Sequence, residues 1–178
     1  EHTVAMILSI YKNITAAEGR VRSGNFGDVD FRRNEVYGKN IGVIGFGKVG
    51  SYVGMLAHAF GMRVIANDTD AKVRSRHKDF EFRSLRYLLN HSDIVTVHIP
   101  LEKKNRGFMG AKQFSMMRKD AVFINTSRGA VTDEGALLEA LDKRNIRFAG
   151  LDVFENEPNI NPAFSQLKNV LMTNHIAG

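Results

Sequence analysis

Ile41-Gly42-Val43-Ile44-Gly45-Phe46-Gly47-Lys48-Val49-Gly50 decides how the rest of this 178-residue chain is read. Residues 41–44 form a short apolar, β-branched run, the pattern of a buried strand. In residues 49–60, Val53, Leu56, Ala57 and Phe60 recur at helical spacing. Between strand and helix stands G-x-G-x-x-G. Alone the pattern is weak, because the chain holds 16 glycines and turns use them freely. Its place between strand and helix is what gives it weight. There the first glycine makes the tight turn, the second lets the backbone approach a pyrophosphate, and the third allows close helix–strand packing. Backbone N–H groups at the helix start, with the positive end of its dipole, then hold the phosphates. Gly45, Gly47, Lys48, Val49 and Gly50 are therefore expected to contact a dinucleotide.

Working outward, residues 63–67 read as a second strand, and Asp68 ends it, 18 residues past Gly50. A carboxylate there accepts hydrogen bonds from the adenine ribose hydroxyls and repels a 2′-phosphate, so NAD is expected over NADP. Lys72, Arg74 and Arg76 lie near in sequence and, in a different geometry, would welcome that phosphate. The bland alternative is a structural turn followed by a surface aspartate.

Short apolar runs continue to alternate with helical patterns. Strands are expected at 80–82, 94–98, 121–124, 148–151 and 170–172. Helices are expected at 4–14, at 85–90 capped by Ser84, at 111–117, and at 134–143 capped by Thr132-Asp133. Residues 19–39 read as a connector, and the charged segment after Asp68 as weakly helical. This alternation predicts an α/β fold of the Rossmann type, a doubly wound parallel sheet in three α/β/α layers.

Composition narrows the class. Hydrophobic residues at 43% and charged residues at 25% are globular proportions, which excludes disorder. No cysteine is present, so thiol nucleophiles, disulfides and thiolate-bound metals are excluded. No set of histidines has a metal-ligand spacing with a third ligand, and no metal is expected. His2, His58, His77 and His91 are given no role. The apolar run at 4–10 is too short to span a membrane and no charged segment precedes it, so a cytoplasmic protein without a membrane partner is expected. The +6 net charge suits anionic ligands. It falls in small clusters (Arg20 and Arg22, Arg32 and Arg33, Arg74 to Lys78, Lys103 to Arg106) with no aromatic platform, which argues against nucleic acid.

Three further segments end on predicted strands, where ligands bind in an open parallel sheet. They are His98-Ile99-Pro100-Leu101, Asn125-Thr126-Ser127-Arg128-Gly129 and Leu151-Asp152-Val153-Phe154-Glu155-Asn156-Glu157-Pro158. Taken singly, each is as readily a loop capping the next helix. On spacing alone Glu157 is more often a solvated acid, and His175 a satisfied core histidine. With the glycine motif, Asp68 and the closing His175-Ile176-Ala177-Gly178, however, the ordered set resembles the D-isomer-specific 2-hydroxyacid dehydrogenases over nearly the whole chain.

The resemblance implies a nucleotide-binding domain inserted into a second domain built from both chain ends. Residues 1–178 are then expected to be a dinucleotide-binding domain excised from a longer two-domain chain, without its substrate domain. It implies Arg128 on the substrate carboxylate and carbonyl, His175 in acid–base catalysis, and Glu157 supporting that histidine. His98, Pro100, Thr126, Arg128, Asp152, His175 and the backbone to Gly178 are implied to line the cofactor. It also implies a homodimer through the nucleotide domains, and the stripe Val4, Ile7, Leu8 and Tyr11 is expected to be partly exposed for that contact. Two positions depart from the family pattern, Asn174 where proline is usual and Phe26 where tryptophan is common. The first bears on how rigidly His175 is held.

The chemistry suits these roles. Reduction of a 2-keto acid needs a planar bidentate partner for the carboxylate, which arginine supplies, and a proton donor with a pKa near neutrality, which histidine supplies. A carboxylate beside a histidine favours the imidazolium. Other readings are an NAD-sensing co-repressor of the same fold, a formate dehydrogenase, which resembles this family with glutamine in place of Glu157, and an S-adenosylmethionine methyltransferase, which would not need the Arg128, Glu157 and His175 set.

Overall fold

The structure is a computed structural model describing residues 1–26 and 34–178. Seven strands form it: β1 (Asn40–Ile44), β2 (Arg63–Asn67), β3 (Glu81–Phe82), β4 (Ile94–Val97), β5 (Val122–Asn125), β6 (Phe148–Leu151) and β7 (Val170–Met172). They make one sheet in the order β3-β2-β1-β4-β5-β6-β7, and every neighbouring pair is parallel. The described residues also form seven α-helices, α1 (His2–Lys12) and α2 (Ile14–Arg22) before β1, and α3 (Lys48–Ala59), α4 (Ala71–Arg76), α5 (Leu85–His91), α6 (Ala111–Met116) and α7 (Glu134–Asp142) between the strands.

The central strands read as unbroken apolar runs because both faces of the sheet are covered. Val43 points to one face and Ile44 to the other, as the two-residue pleat requires. On the first face Ile7 and Ile10 of α1 and Val53 and Ala57 of α3 pack over Ile41, Val43, Val64 and Ile124. On the second, Leu88 and Leu89 of α5, Phe114 of α6 and Leu137 of α7 cover Ile44, Val95, Val97 and Phe123. Each such fully buried side chain contributes about 2 kcal/mol. The caps read from sequence form: Ser84 Oγ accepts from Tyr87 N at 3.3 Å, and Asp133 Oδ1 from Ala136 N at 3.0 Å. Thr132 does not cap; Asp133 alone does so.

Three expectations change. The helix expected over 4–14 breaks at Asn13, which takes a left-handed φ of 51° and joins α1 to α2. Asparagine tolerates that conformation better than most residues. The connector expected from residue 19 is instead helical to Arg22; α2 buries none of its residues, so no apolar period announced it. The stripe on α1 is not available to a partner either, because Val4, Ile7 and Tyr11 are buried in the domain's own core. Arg32 and Arg33 lie outside the described residues. Among the described residues no helix is long and apolar enough to cross a membrane.

β1 lies between β2 and β4, so the chain winds one way through α3 and the other way after β3. The loops after β1 and β4 therefore diverge, and a crevice opens beyond the carboxyl ends of the strands.

Candidate active site

The glycine loop after β1 has the geometry of a phosphate cradle. Gly45 holds a φ of +82°, and a Cβ added there would lie 2.8 Å from the His98 carbonyl oxygen. A Cβ on Gly50 would stand 1.9 Å from the Gly45 carbonyl oxygen, so α3 meets the turn too closely for any side chain. Gly47 differs: nothing lies within 4 Å of the point its Cβ would occupy. It is the N-cap of α3 and makes no side-chain cap bond, which leaves the first N–H groups of that helix facing the crevice. A dinucleotide pyrophosphate fits this cradle. Asp68, at the end of β2, is pinned beside it, with Oδ2 accepting from Phe46 N at 2.7 Å and Oδ1 from Asp70 N at 2.8 Å. Arg74 turns its guanidinium onto the Asp68 and Thr69 carbonyl oxygens at 2.9 and 3.3 Å.

The crevice encloses about 730 Å³. Of the residues expected there, Gly47, Lys48, Val49, His98, Pro100, Thr126, Arg128, His175 and Gly178 line it. Gly45 and Gly50 lie beneath as spacers, and Asp68 faces an adjoining recess with Asn67, Arg74 and Arg83. His98 bonds Thr96 Oγ1 through Nε2 at 2.9 Å, and burial pushes its imidazole down to about 4.

Arg128 follows β5 on a turn closed by Asn125, which was quoted in the sequence motif but given no part. The buried Asn125 amide donates to the Arg128 carbonyl at 3.0 Å and to Thr132 Oγ1 at 3.2 Å, and its oxygen accepts from Ser127 N at 2.9 Å. The Arg128 side chain is exposed, with Nη1 on the Ser127 carbonyl at 2.7 Å. The remaining donors of its fork are left for an anion.

His175 follows β7 and adopts a φ of 58°, unusual outside glycine. Its Nδ1 meets Glu157 Oε2 at 2.6 Å, and Glu157 Oε1 accepts from Phe154 N at 2.7 Å. Burial would raise the Glu157 carboxyl, but its bonds to His175 and Phe154 N outweigh this and hold it below the usual range. With Nδ1 so engaged, Nε2 is the nitrogen left for a reacting group.

Asp152 takes a different place from the one expected. It does not line the crevice but is fully buried behind the His175 loop. It accepts from Thr173 Oγ1 at 2.6 Å, from Ile176 N at 3.0 Å and from Ala177 N at 2.9 Å. Burial pushes its carboxyl up, but these three donors and nearby His2 push it further down. Asp152 thus braces the strained backbone at His175. Sequence reading also passed over His2 and Thr3, both on the crevice wall. Nothing in their local pattern marks them, since α1 reads only as an apolar helix.

A seven-stranded parallel sheet with a glycine cradle at its switch point, and an Arg, Glu and His set beyond it, defines a nucleotide-binding oxidoreductase domain. The profile of the D-isomer specific 2-hydroxyacid dehydrogenase NAD-binding domain matches residues 4–177, and the chain belongs to that family. It is 38% identical to a glyoxylate reductase of Aeropyrum pernix, over 99% of this chain and 56% of that enzyme. Its fold matches a D-lactate dehydrogenase with NAD+ from Lactobacillus jensenii at a TM-score of 0.82, with 30% identity over 98% of this chain and 57% of that one. It matches an acyclic imino acid reductase in complex with NADPH and D-Arg at 0.87, with 32% identity over 98% and 55%. The chain spans about half the length of the first two glyoxylate reductases it matches, 56% and 54%.

Proposed function

We propose that this chain is the cofactor-binding half of an enzyme that reduces 2-keto acids to D-2-hydroxy acids with NADH, and runs the reverse reaction with NAD. The observation that carries this reading is the 2.6 Å contact of His175 Nδ1 with Glu157, on a loop that shares one crevice with Arg128 and the glycine cradle. Bound reduced nicotinamide would supply the hydride that reaches the carbonyl carbon. Arg128 holds the substrate carboxylate through its planar fork and so fixes which face of the carbonyl is presented. His175 gives its Nε2 proton to the carbonyl oxygen, which becomes the hydroxyl, and Glu157 keeps the ring oriented for that transfer.

The preference we propose for NAD over NADP is supported by the half-buried Asp68 carboxylate beside the glycine loop, which would repel a 2′-phosphate, and by Arg74, which is turned onto backbone carbonyls. The substrate is a small 2-keto acid, and the site of action we propose is the cytoplasm, where such acids and free nicotinamide cofactor meet. A second copy of the chain is the proposed partner. Since α1 packs into the core, the contact we propose uses apolar side chains exposed elsewhere, among them Met55 of α3 and Ile14 and Val21 of α2.

Fluorescence titration with NADH and NADPH, followed by turnover on a panel of 2-keto acids, tests the proposal. The domain alone is expected to bind NADH and to show negligible turnover, because an open crevice leaves Arg128 screened by water. The intact protein is expected to turn over. A folded domain that does not bind NADH refutes the reading.

A further inference from the structure

Arg128 and His175 stand on separate loops, one after β5 and one after β7, beyond the last ladder bonds of the sheet. Those final bonds are Asp152 N to the Asn125 carbonyl at 3.0 Å and Thr173 N to the Leu151 carbonyl at 2.9 Å. Past them, among the described residues, no backbone hydrogen bond joins the two loops to each other. Two consecutive residues in the first turn of α1 reach both. Thr3 Oγ1 meets Thr126 Oγ1 at 2.8 Å, on the Arg128 loop. His2 Nε2 meets Thr173 Oγ1 at 3.0 Å, on the His175 loop, and lies 3.4 Å from Asp152 Oδ1. The proton order follows from the distances. Thr173 gives its only proton to Asp152 at 2.6 Å, so it accepts from His2, and His2 Nε2 carries a hydrogen. α1 is itself immobilised, since Ile7 and Ile10 are buried against the sheet. Its first turn is therefore a fixed point that contacts both loops.

We propose that His2 and Thr3 are positioning residues that set the separation of Arg128 and His175, and with it the pose of the keto acid between them. This rests on the reductase reading above. Neither residue touches a reacting atom; each acts through one loop.

The test compares the intact enzyme with His2→Leu and Thr3→Val, which remove the polar contact at similar size, and with His2→Gln and Thr3→Ser, which keep it. Displacement of a loop by a fraction of an ångström is expected to lower kcat roughly ten- to a hundredfold in the first pair, with NADH affinity unchanged and most of the rate restored in the second. Amide exchange at Ile176 and Ala177 should quicken in His2→Leu and not in Thr3→Val. Folded His2→Leu and Thr3→Val proteins with unmutated kcat overturn the proposal. So does loss of NADH binding in step with kcat, or failure of both to fold, because the residues would then support the domain and not the loops. If only one variant folds, its kcat decides. An unmutated enzyme inactive on every keto acid instead removes the reductase reading, and the proposal with it.

Discussion

Gly129 is the residue after Arg128, and its replacement by alanine measures how closely the two halves of the proposed catalytic set are fitted. A Cβ added at Gly129 would stand 2.0 Å from both the carbonyl carbon and the oxygen of Phe154, and 2.5 Å from Glu155 N. Ordinary contact begins near 3.4 Å, so the strands of backbone must part by about 1.4 Å. All three opposing atoms belong to the main chain, and no rotamer change relieves them. Either the Arg128 turn retreats, or the turn carrying Phe154 does. The second displaces the amide that holds Glu157 Oε1 at 2.7 Å, and through Glu157 the ring of His175. A misplacement of this size costs about 10²-fold in rate, and the overpacking itself about 1–3 kcal/mol of stability. Steady-state kinetics of Gly129→Ala in the intact enzyme should show kcat/KM for the keto acid down by about 10²-fold. NADH affinity, to which the glycine loop also contributes, should fall much less than kcat/KM. A folded Gly129→Ala enzyme with undiminished kcat/KM would show that the separation of the two turns does not matter, and the site geometry argued above would be wrong.

Asp68→Ala should narrow the preference for NADH over NADPH in fluorescence titration, since it removes an acceptor for the ribose hydroxyls and the repulsion of a 2′-phosphate together; an NADPH preference in the unmutated protein would show that Asp68 does not meet the ribose. Glu157→Gln leaves one oxygen for two donors, Phe154 N and His175 Nδ1, so kcat should fall about 10²- to 10⁴-fold at unchanged NADH affinity, as measured by stopped-flow and titration. His98 contributes an acid sensitivity with a definite sign. Its folded pKa of about 4 lies below the ordinary histidine value of 6.5, so the unfolded chain binds the proton first. The contribution to stability is complete above pH 6.5 and is lost as pH falls toward 4. In urea denaturation, His98→Gln should lack that part of the loss; equal losses in the two proteins would show that His98 is not held neutral.

Much of the crevice was legible because its parts sit at strand ends, and strand ends are visible as the close of apolar runs. Arg128 after 122–125 and the glycine loop after 40–44 both follow from that rule. Asp152 shows where it fails. Position along the chain places a residue at the carboxyl edge of the sheet, but the direction of its side chain depends on what packs behind it. Here Thr173 and the amides of Ile176 and Ala177 draw Asp152 away from the crevice.

The sequence by itself determined the alternation of strands and helices from β1 onward, a glycine turn suited to a phosphate, and the residue types available for the proposed reduction of a keto acid. These rest on local physics, namely the period of apolar residues and the backbone freedom of glycine, which act over a few neighbouring positions. Tertiary structure alone decided that β4 lies beside β1 and opens the crevice there. It also decided that Asn13 ends α1, and that His2 and Thr3 reach Thr173 and Thr126 across 171 and 123 residues of chain. Such contacts depend on strand register and on where α1 docks against the sheet. Those follow from the summed packing of the core, and no single segment carries their trace.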